Sequence, residues 1–210
     1  MAHAPTGTAP LAVNSDPAEV LDGAASELVA KSSLPTDGLW LEDLTVRVAP
    51  LVSEWDVSGC WHWRGWPHRE KVLPDAPGED VGIDAVAQRR SDGAWIAIQV
   101  KSRQLDSAGS GDPVASGELN KFLAAASDKA VWAERWLVVN GAVALGGYSP
   151  AKAAMSGASV KVVNVAAAVE SQRAVLGEDG VETTPFLPDD GDDSAITPPP
   201  VSLGYAAGGR

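Results

Sequence analysis

The sequence predicts one α/β domain, and three observations carry that prediction. Apolar residues recur at helical spacing before residue 56, strand-like runs bounded by turn residues begin near residue 59, and strands and helices then alternate to about residue 165. A chain of 210 residues suits a single core with loose ends.

In chain order, residues 1 to 14 lack periodicity, and Asp16-Pro17-Ala18-Glu19 then reads as an N-cap, a first-turn proline and a capping-box glutamate. A helix over 17–30 follows, with Val20, Leu21, Ala24, Leu28 and Val29 at helical spacing, until Leu34-Pro35-Thr36-Asp37-Gly38 breaks the chain. Residues 1–35 therefore read as a peripheral N-terminal arm. Leu41, Leu44, Val48, Leu51, Val52 and Trp55 form the apolar stripe of a first core helix over 39–55, which Pro50 should kink or split. Gly59 to Trp66 alternates aromatic and polar residues as a half-buried strand does, and a Pro/Gly-rich loop covers 67–79.

Strands 83–88 and 94–101 flank Arg89-Arg90-Ser91-Asp92-Gly93, and Asp-Gly is a strong hairpin signal. A flexible Ser/Gly/Asp stretch over 106–117 precedes a helix near 117–128, a strand at 135–140, a helix at 150–156 and a strand at 160–165. The core domain thus spans 36–176. Residues 177–210, with Pro185, Pro188, an Asp-rich patch over 189–193 and Pro198-Pro199-Pro200, read as an acidic, proline-rich disordered tail or linker.

Composition narrows the function classes. A single cysteine, Cys60, allows no internal disulfide framework. The start MAHAPTGTAPLAV lacks a basic segment leading into an apolar run, and the densest apolar runs, Trp95 to Ile98 and Trp136 to Val139, are far too short to span a bilayer, so a cytoplasmic location is expected. No internal repeat, Walker-type glycine loop or paired-cysteine metal motif occurs. The net charge of −12 argues at first against nucleic acid. Residues 176–210 hold seven Asp/Glu against one Lys/Arg, however, while Arg64, Arg69, Lys71, Arg89, Arg90, Lys101 and Arg103 cluster centrally, which leaves room for a local basic surface.

The chemistry concentrates on the hairpin. Alternation sets Gln99 and Lys101 on one face of their strand and Ile98 and Val100 on the other. With Asp92-Gly93 as a two-residue turn, Asp84 stands opposite Lys101 and Val86 opposite Gln99, and a register shift of two residues would keep all three polar groups on one face. Phosphodiester hydrolysis needs a hard cation held by oxygen ligands beside the scissile bond. Asp84 offers an anionic oxygen, Gln99 an amide oxygen and Val100 its backbone carbonyl, while Lys101 can orient water or stabilise developing charge.

Gly82-Ile83-Asp84-Ala85-Val86-Ala87, the turn, and Ala97-Ile98-Gln99-Val100-Lys101 together resemble the Mrr-like branch of PD-(D/E)XK nucleases, which uses Gln where other branches use Glu. With Trp61-His62-Trp63-Arg64-Gly65-Trp66-Pro67 and Asp80-Val81-Gly82, the stretch is similar to the nuclease domain of type ISP restriction-modification enzymes and of helicase-linked nucleases. The resemblance implies a restriction-endonuclease-like core, a central mixed β-sheet flanked by helices. It implies cleavage of double-stranded DNA with Mg2+, for which Mn2+ substitutes, a helicase or methyltransferase module in trans or on a longer chain, and a dimer on DNA. It makes Asp84, Gln99, Lys101 and Glu42 the catalytic set, Glu42 matching a helix glutamate that follows an apolar residue. Asp84, Gln99, Val100 and Glu42 become metal ligands, with Asp80 as a further acid that reads equally well as a turn former.

Arg64, Arg69, Arg89, Arg90 and Arg103 are the DNA-binding candidates; a solvated surface is the ordinary alternative for each. Trp61, Trp63 and Trp66 read as core or loop braces rather than base-stacking platforms. Two rivals stay open: a catalytically inactive nuclease fold that binds DNA or a helicase partner, and a scaffold whose acidic tail captures a partner.

Overall fold

A computed structural model describes residues 15–34, 38–74, 81–146 and 159–179. Asp80, the helix expected at 150–156 and the tail from 180 onward lie outside these residues.

The first helix, α1 (Pro17–Lys31), starts where the sequence predicts, with the Asp16 carboxylate accepting the Ala18 N–H at 2.9 Å. It is not peripheral. Leu21, Ala24, Ala25 and Leu28 are buried in the main hydrophobic cluster. Helix α2 (Leu39–Val48) buries Trp40, Leu41, Leu44 and Val48, and Pro50 does end it, the chain continuing in two 3-10 turns over 49–51 and 53–55.

Strand β1 (Val57–His62) begins and ends earlier than expected. Trp63 to Gly65 form a 3-10 turn instead of a strand end, and a short helix α3 (Arg69–Val72) follows. The hairpin strands are β2 (Ala85–Arg89) and β3 (Trp95–Lys101). Next come β4 (Ser110–Ala115), α4 (Ser116–Ala125), β5 (Trp132–Val139), β6 (Ala142–Gly146), β7 (Lys161–Asn164) and α5 (Val165–Asp179).

The central sheet has the order β1-β2-β3-β5-β7. Its first three strands are antiparallel, and β3, β5 and β7 run parallel, which makes the sheet mixed. Central position explains why β3 is buried on both faces. One face, with Ala85, Ala87, Ile96, Ile98, Val100, Trp136 and Val138, packs against α1, α2 and α5. The other, with Val86, Ala97, Leu137 and Val139, meets α4 through Leu119 and Phe122 and meets Trp63, Trp66 and Trp132. Each fully buried leucine or phenylalanine in these layers contributes about 1.5–3 kcal/mol.

Two further findings differ from the sequence expectation. The stretch read as flexible before residue 117 contains β4, which pairs in parallel with β6 as a separate two-stranded sheet. Helix α5 was not expected; the Asn164 carboxamide oxygen caps it by accepting the Ala166 and Ala167 N–H groups at 3.1 and 3.3 Å.

Candidate active site

The hairpin closes by a four-residue loop, not the expected two. Arg89 and Ala94 pair through the Arg89 N–H (2.8 Å), the Gly93 N–H returns to the Arg89 carbonyl (2.9 Å), and Gly93 takes φ +72°. Asp92 steadies this loop by accepting from the Ala94 N–H at 3.1 Å and from the Arg89 guanidinium at 2.6 and 2.8 Å. The register moves by two: Val86 faces Ala97 and Ala85 faces Ile98, so one further step sets Asp84 opposite Gln99 rather than Lys101. Because the shift is even, Asp84, Gln99 and Lys101 keep a common face.

Strand pairing stops here and side chains take over. The Asp84 N–H still donates to the Ile98 carbonyl (2.9 Å) and its carbonyl accepts the Trp63 N–H (2.9 Å), which fixes the residue between β1 and β3. Its Oδ2 accepts the Val100 N–H at 2.7 Å and a bond from the Gln99 amide. Gln99 is 5% exposed, and the same amide nitrogen lies 3.4 Å from the Val100 carbonyl. A partial positive charge therefore occupies the point on which the Asp84 carboxylate and the Val100 carbonyl converge. Turned over, the amide would present its oxygen there instead. This all-oxygen donor set suits a hard divalent cation. Among the described residues no group of three or more His, Cys, Asp and Glu could hold a metal.

Glu42 is half-buried in the first turn of α2. That turn is bracketed by two strand ends. A Cβ on Gly38 would sit 3.8 Å from the Ser102 Cβ, just past Lys101, and Asp43 pairs with His62 Nε2 at 2.9 Å at the end of β1. On the opposite face Gly82, at φ +88°, passes so close to α4 that a Cβ would stand 2.8 Å from the Phe122 nitrogen.

The arginines divide by location. Arg64 is exposed directly after Trp63, and Arg103 is two residues past Lys101, forked onto Glu118 at 2.8 and 2.9 Å. Arg89 and Arg90 sit at the turn, the far end of the hairpin. There Arg89 is held by Asp92 and by Glu134 at 2.6 Å, and Arg90 donates to the Pro50 and Val57 carbonyls at 3.2 and 2.9 Å. Arg69 is half-buried, its Nη1 buried without a hydrogen-bond partner.

Trp61, Trp66, Trp95 and His68 pack on one another with ring centroids 5.0 to 6.3 Å apart, as braces do. Burial pushes the Cys60 thiol up to about 12, so it is no nucleophile at neutral pH.

Two residues near the site carried no motif. Glu118 lies on α4, its carboxyl held below the usual range chiefly by hydrogen bonds from Arg103, with the charge of Lys101 adding to them. Asn140 is fully buried beyond the end of β5. Glu118 is the third residue of α4 and its Oε1 accepts the Ala115 N–H at 3.0 Å, but alanine at the cap position hides the pairing from the sequence. Asn140 left no signal either.

Neither a curated protein nor a solved structure matches the chain. A family model described as restriction endonuclease, Mrr_cat_2, matches residues 47–172, which takes in β1 to β7 and half of α5 and leaves Glu42 and α1 outside. That match covers more than half of the 210 residues, over the segment in which Asp84, Gln99 and Lys101 share one strand end. The chain belongs to the Mrr-like restriction endonuclease family.

Proposed function

We propose that this nuclease domain is a divalent-metal-dependent endonuclease that hydrolyses phosphodiester bonds of double-stranded DNA in restriction of foreign DNA, in the cytoplasm. A DNA substrate and nuclease activity follow from the family; the metal, the residues and the biology are the proposal. The observation that supports it best is the meeting of the Asp84 carboxylate, the Gln99 amide and the Val100 main chain at the end of β3, with Lys101 next on the same face.

Asp84, the Gln99 amide oxygen and the Val100 carbonyl would hold Mg2+ or Mn2+, with Glu42 and Asp80 as further oxygen donors. Once bound, the ion supplies neutralisation of phosphate charge and a more acidic water. Lys101 orients that water and balances the charge that grows on the phosphate as the P–O bond breaks. Arg64, exposed at the site end of the sheet, holds the flanking backbone phosphate; Arg103, at the same end, would have to release Glu118 to join it. A helicase or methyltransferase, on this polypeptide or another, would deliver the DNA, and two copies would cut both strands.

Plasmid DNA incubated with the purified chain and Mg2+ or Mn2+ tests this. Nicking abolished by EDTA, by Asp84→Ala and by Lys101→Ala is expected. Nicking that survives both substitutions sinks the assignment. The second reading, a fold kept to bind DNA without cutting it, draws on Gln99, a neutral side chain that leaves the site weakly anionic for a metal. Its signature is duplex binding with no metal-dependent nicking.

A further inference from the structure

Strand β3 outruns β2 and ends level with β5. Its pairing with β2 ends at Ile98, and its pairing with β5 ends where Lys101 meets Val139. On the β2 side the Asp84 carboxylate substitutes for the missing backbone by taking the Val100 N–H. On the β5 side the chain turns away at Asn140 and Gly141 to form β6, which pairs with β4 instead.

The Asn140 side chain fills that gap. Its Oδ1 accepts the Arg103 N–H at 2.9 Å and its Nδ2 donates to the Arg103 carbonyl at 2.8 Å, so one carboxamide satisfies both main-chain groups of the residue, as a neighbouring strand would. The same Nδ2 lies 3.4 Å from the Ser32 Oγ at the C-cap of α1, and the Ser32 carbonyl accepts the Leu105 N–H at 2.8 Å. Residues 103–105 are thus held by one buried amide, by the end of α1 and, at Leu105, by a bridge to Gly111 of β4, not by the central sheet. Only a carboxamide sets a donor and an acceptor side by side at this geometry, and glutamine is one methylene longer; ionised aspartate lacks the donor, and leucine would orphan two backbone groups.

The geometry points to Asn140 as a positioning residue that holds Lys101 at the site by pinning the backbone two residues beyond it. The role rests on the reading of Lys101 as catalytic. It also gives α1 a part in the site, because the Ser32 hydroxyl shares the amide.

The test compares the full chain with Asn140→Ala and Lys101→Ala, by hydrogen exchange of the segment 99–105 and by steady-state cleavage far below the melting temperature of each protein. Faster exchange in 101–105 with α5 unchanged, and a kcat about tenfold or more lower at unchanged KM, are expected. A purely structural role would leave kcat intact once the variant is fully folded. Unaltered exchange, or an unaltered kcat of Asn140→Ala where wild-type cleavage depends on Lys101, overturns the assignment. Cleavage indifferent to Lys101→Ala would instead sink the reading of Lys101 as catalytic, while exchange would still decide whether Asn140 clamps the strand. Asn140→Asp keeps the volume and the acceptor. It covers an alanine variant that does not fold, with the same direction expected in both measurements.

Discussion

The two ends of the β2–β3 hairpin are built from similar polar residues and use them in opposite ways. At the turn, Arg89 is forked onto Asp92 and reaches Glu134, Arg90 donates to two backbone carbonyls, and Asp92 also caps the Ala94 N–H. Each charge there closes the loop or ties it to a neighbour. At the other end, about 16 Å away by strand rise, side chains stand in for backbone that has left the sheet: Asp84 for β2 and Asn140 for β5. A sheet that splays at its strand ends needs polar side chains to satisfy the exposed ladder, and those side chains are then available to a ligand. Polar residues on the same hairpin therefore differ in meaning with the end on which they lie.

The sharpest way to break the contrast is to remove one group from each end. Asp84→Ala or Lys101→Ala should lower the cleavage rate by at least about a hundredfold, whereas Arg89→Ala should leave it within about twofold. Rates measured on one plasmid substrate decide, and equal losses at the two ends would erase the distinction. Next in size is Gly82→Ala. The position combines φ +88° with a Cβ that would stand 2.8 Å from the Phe122 nitrogen, so the substitution should cost about 1–3 kcal/mol in denaturant unfolding and loosen α4 against the segment that leads through Asp84 into β2. A fully stable variant would show that this approach is not tight.

The same contrast explains what could be read from the sequence. The hairpin was legible because Gly93 takes a positive φ, and the shared face of Asp84, Gln99 and Lys101 survived a wrong turn length because an even register shift preserves the face. Strands β4 and β6 were not legible. Ser110–Ala115 contains a glycine and a proline, and its pairing partner lies more than 25 residues away. Helix α5 did leave a signal, with Asn164 as cap and Val165, Ala168, Val169, Gln172 and Leu176 at helical spacing. Its absence from the reading made α1 look peripheral, since α1 packs on α5 and Arg173 reaches Asp22 at 2.7 Å. Asn140 fell at the end of the strand expected at 135–140 and left no signal of its own, because its role depends on where two other strands stop.

Binding measured without cleavage sharpens the comparison among the arginines. In Ca2+ or EDTA, the logarithm of duplex affinity against the logarithm of salt should lose about one unit of slope when Arg64 becomes alanine, and none when Arg89 or Arg90 does. Sequence clustering alone ranks all of these arginines equally, whereas Arg89 and Arg90 spend their donors on Asp92, Glu134, Pro50 and Val57. A shallower slope for Arg89→Ala would mean that DNA reaches the turn.

The smallest expected effect tests the turn end itself, through its titration. Hydrogen bonds from Arg89 hold the Asp92 carboxyl down at about 2, with the Ala94 N–H adding to them. An unfolded aspartate titrates near 4, so the folded value is the lower one, and the carboxylate stabilises the fold at pH above about 4 and loses that contribution as the pH falls towards 2. The melting temperature of the wild type should exceed that of Asp92→Asn by a small margin at pH 6, and the two should converge by pH 2. Because Asp92 is a surface residue, salt should shrink the margin as well. A margin that is independent of pH would mean that the loop is held by Gly93 and its backbone bonds, and that the Arg89 pair is incidental to the closure of the hairpin.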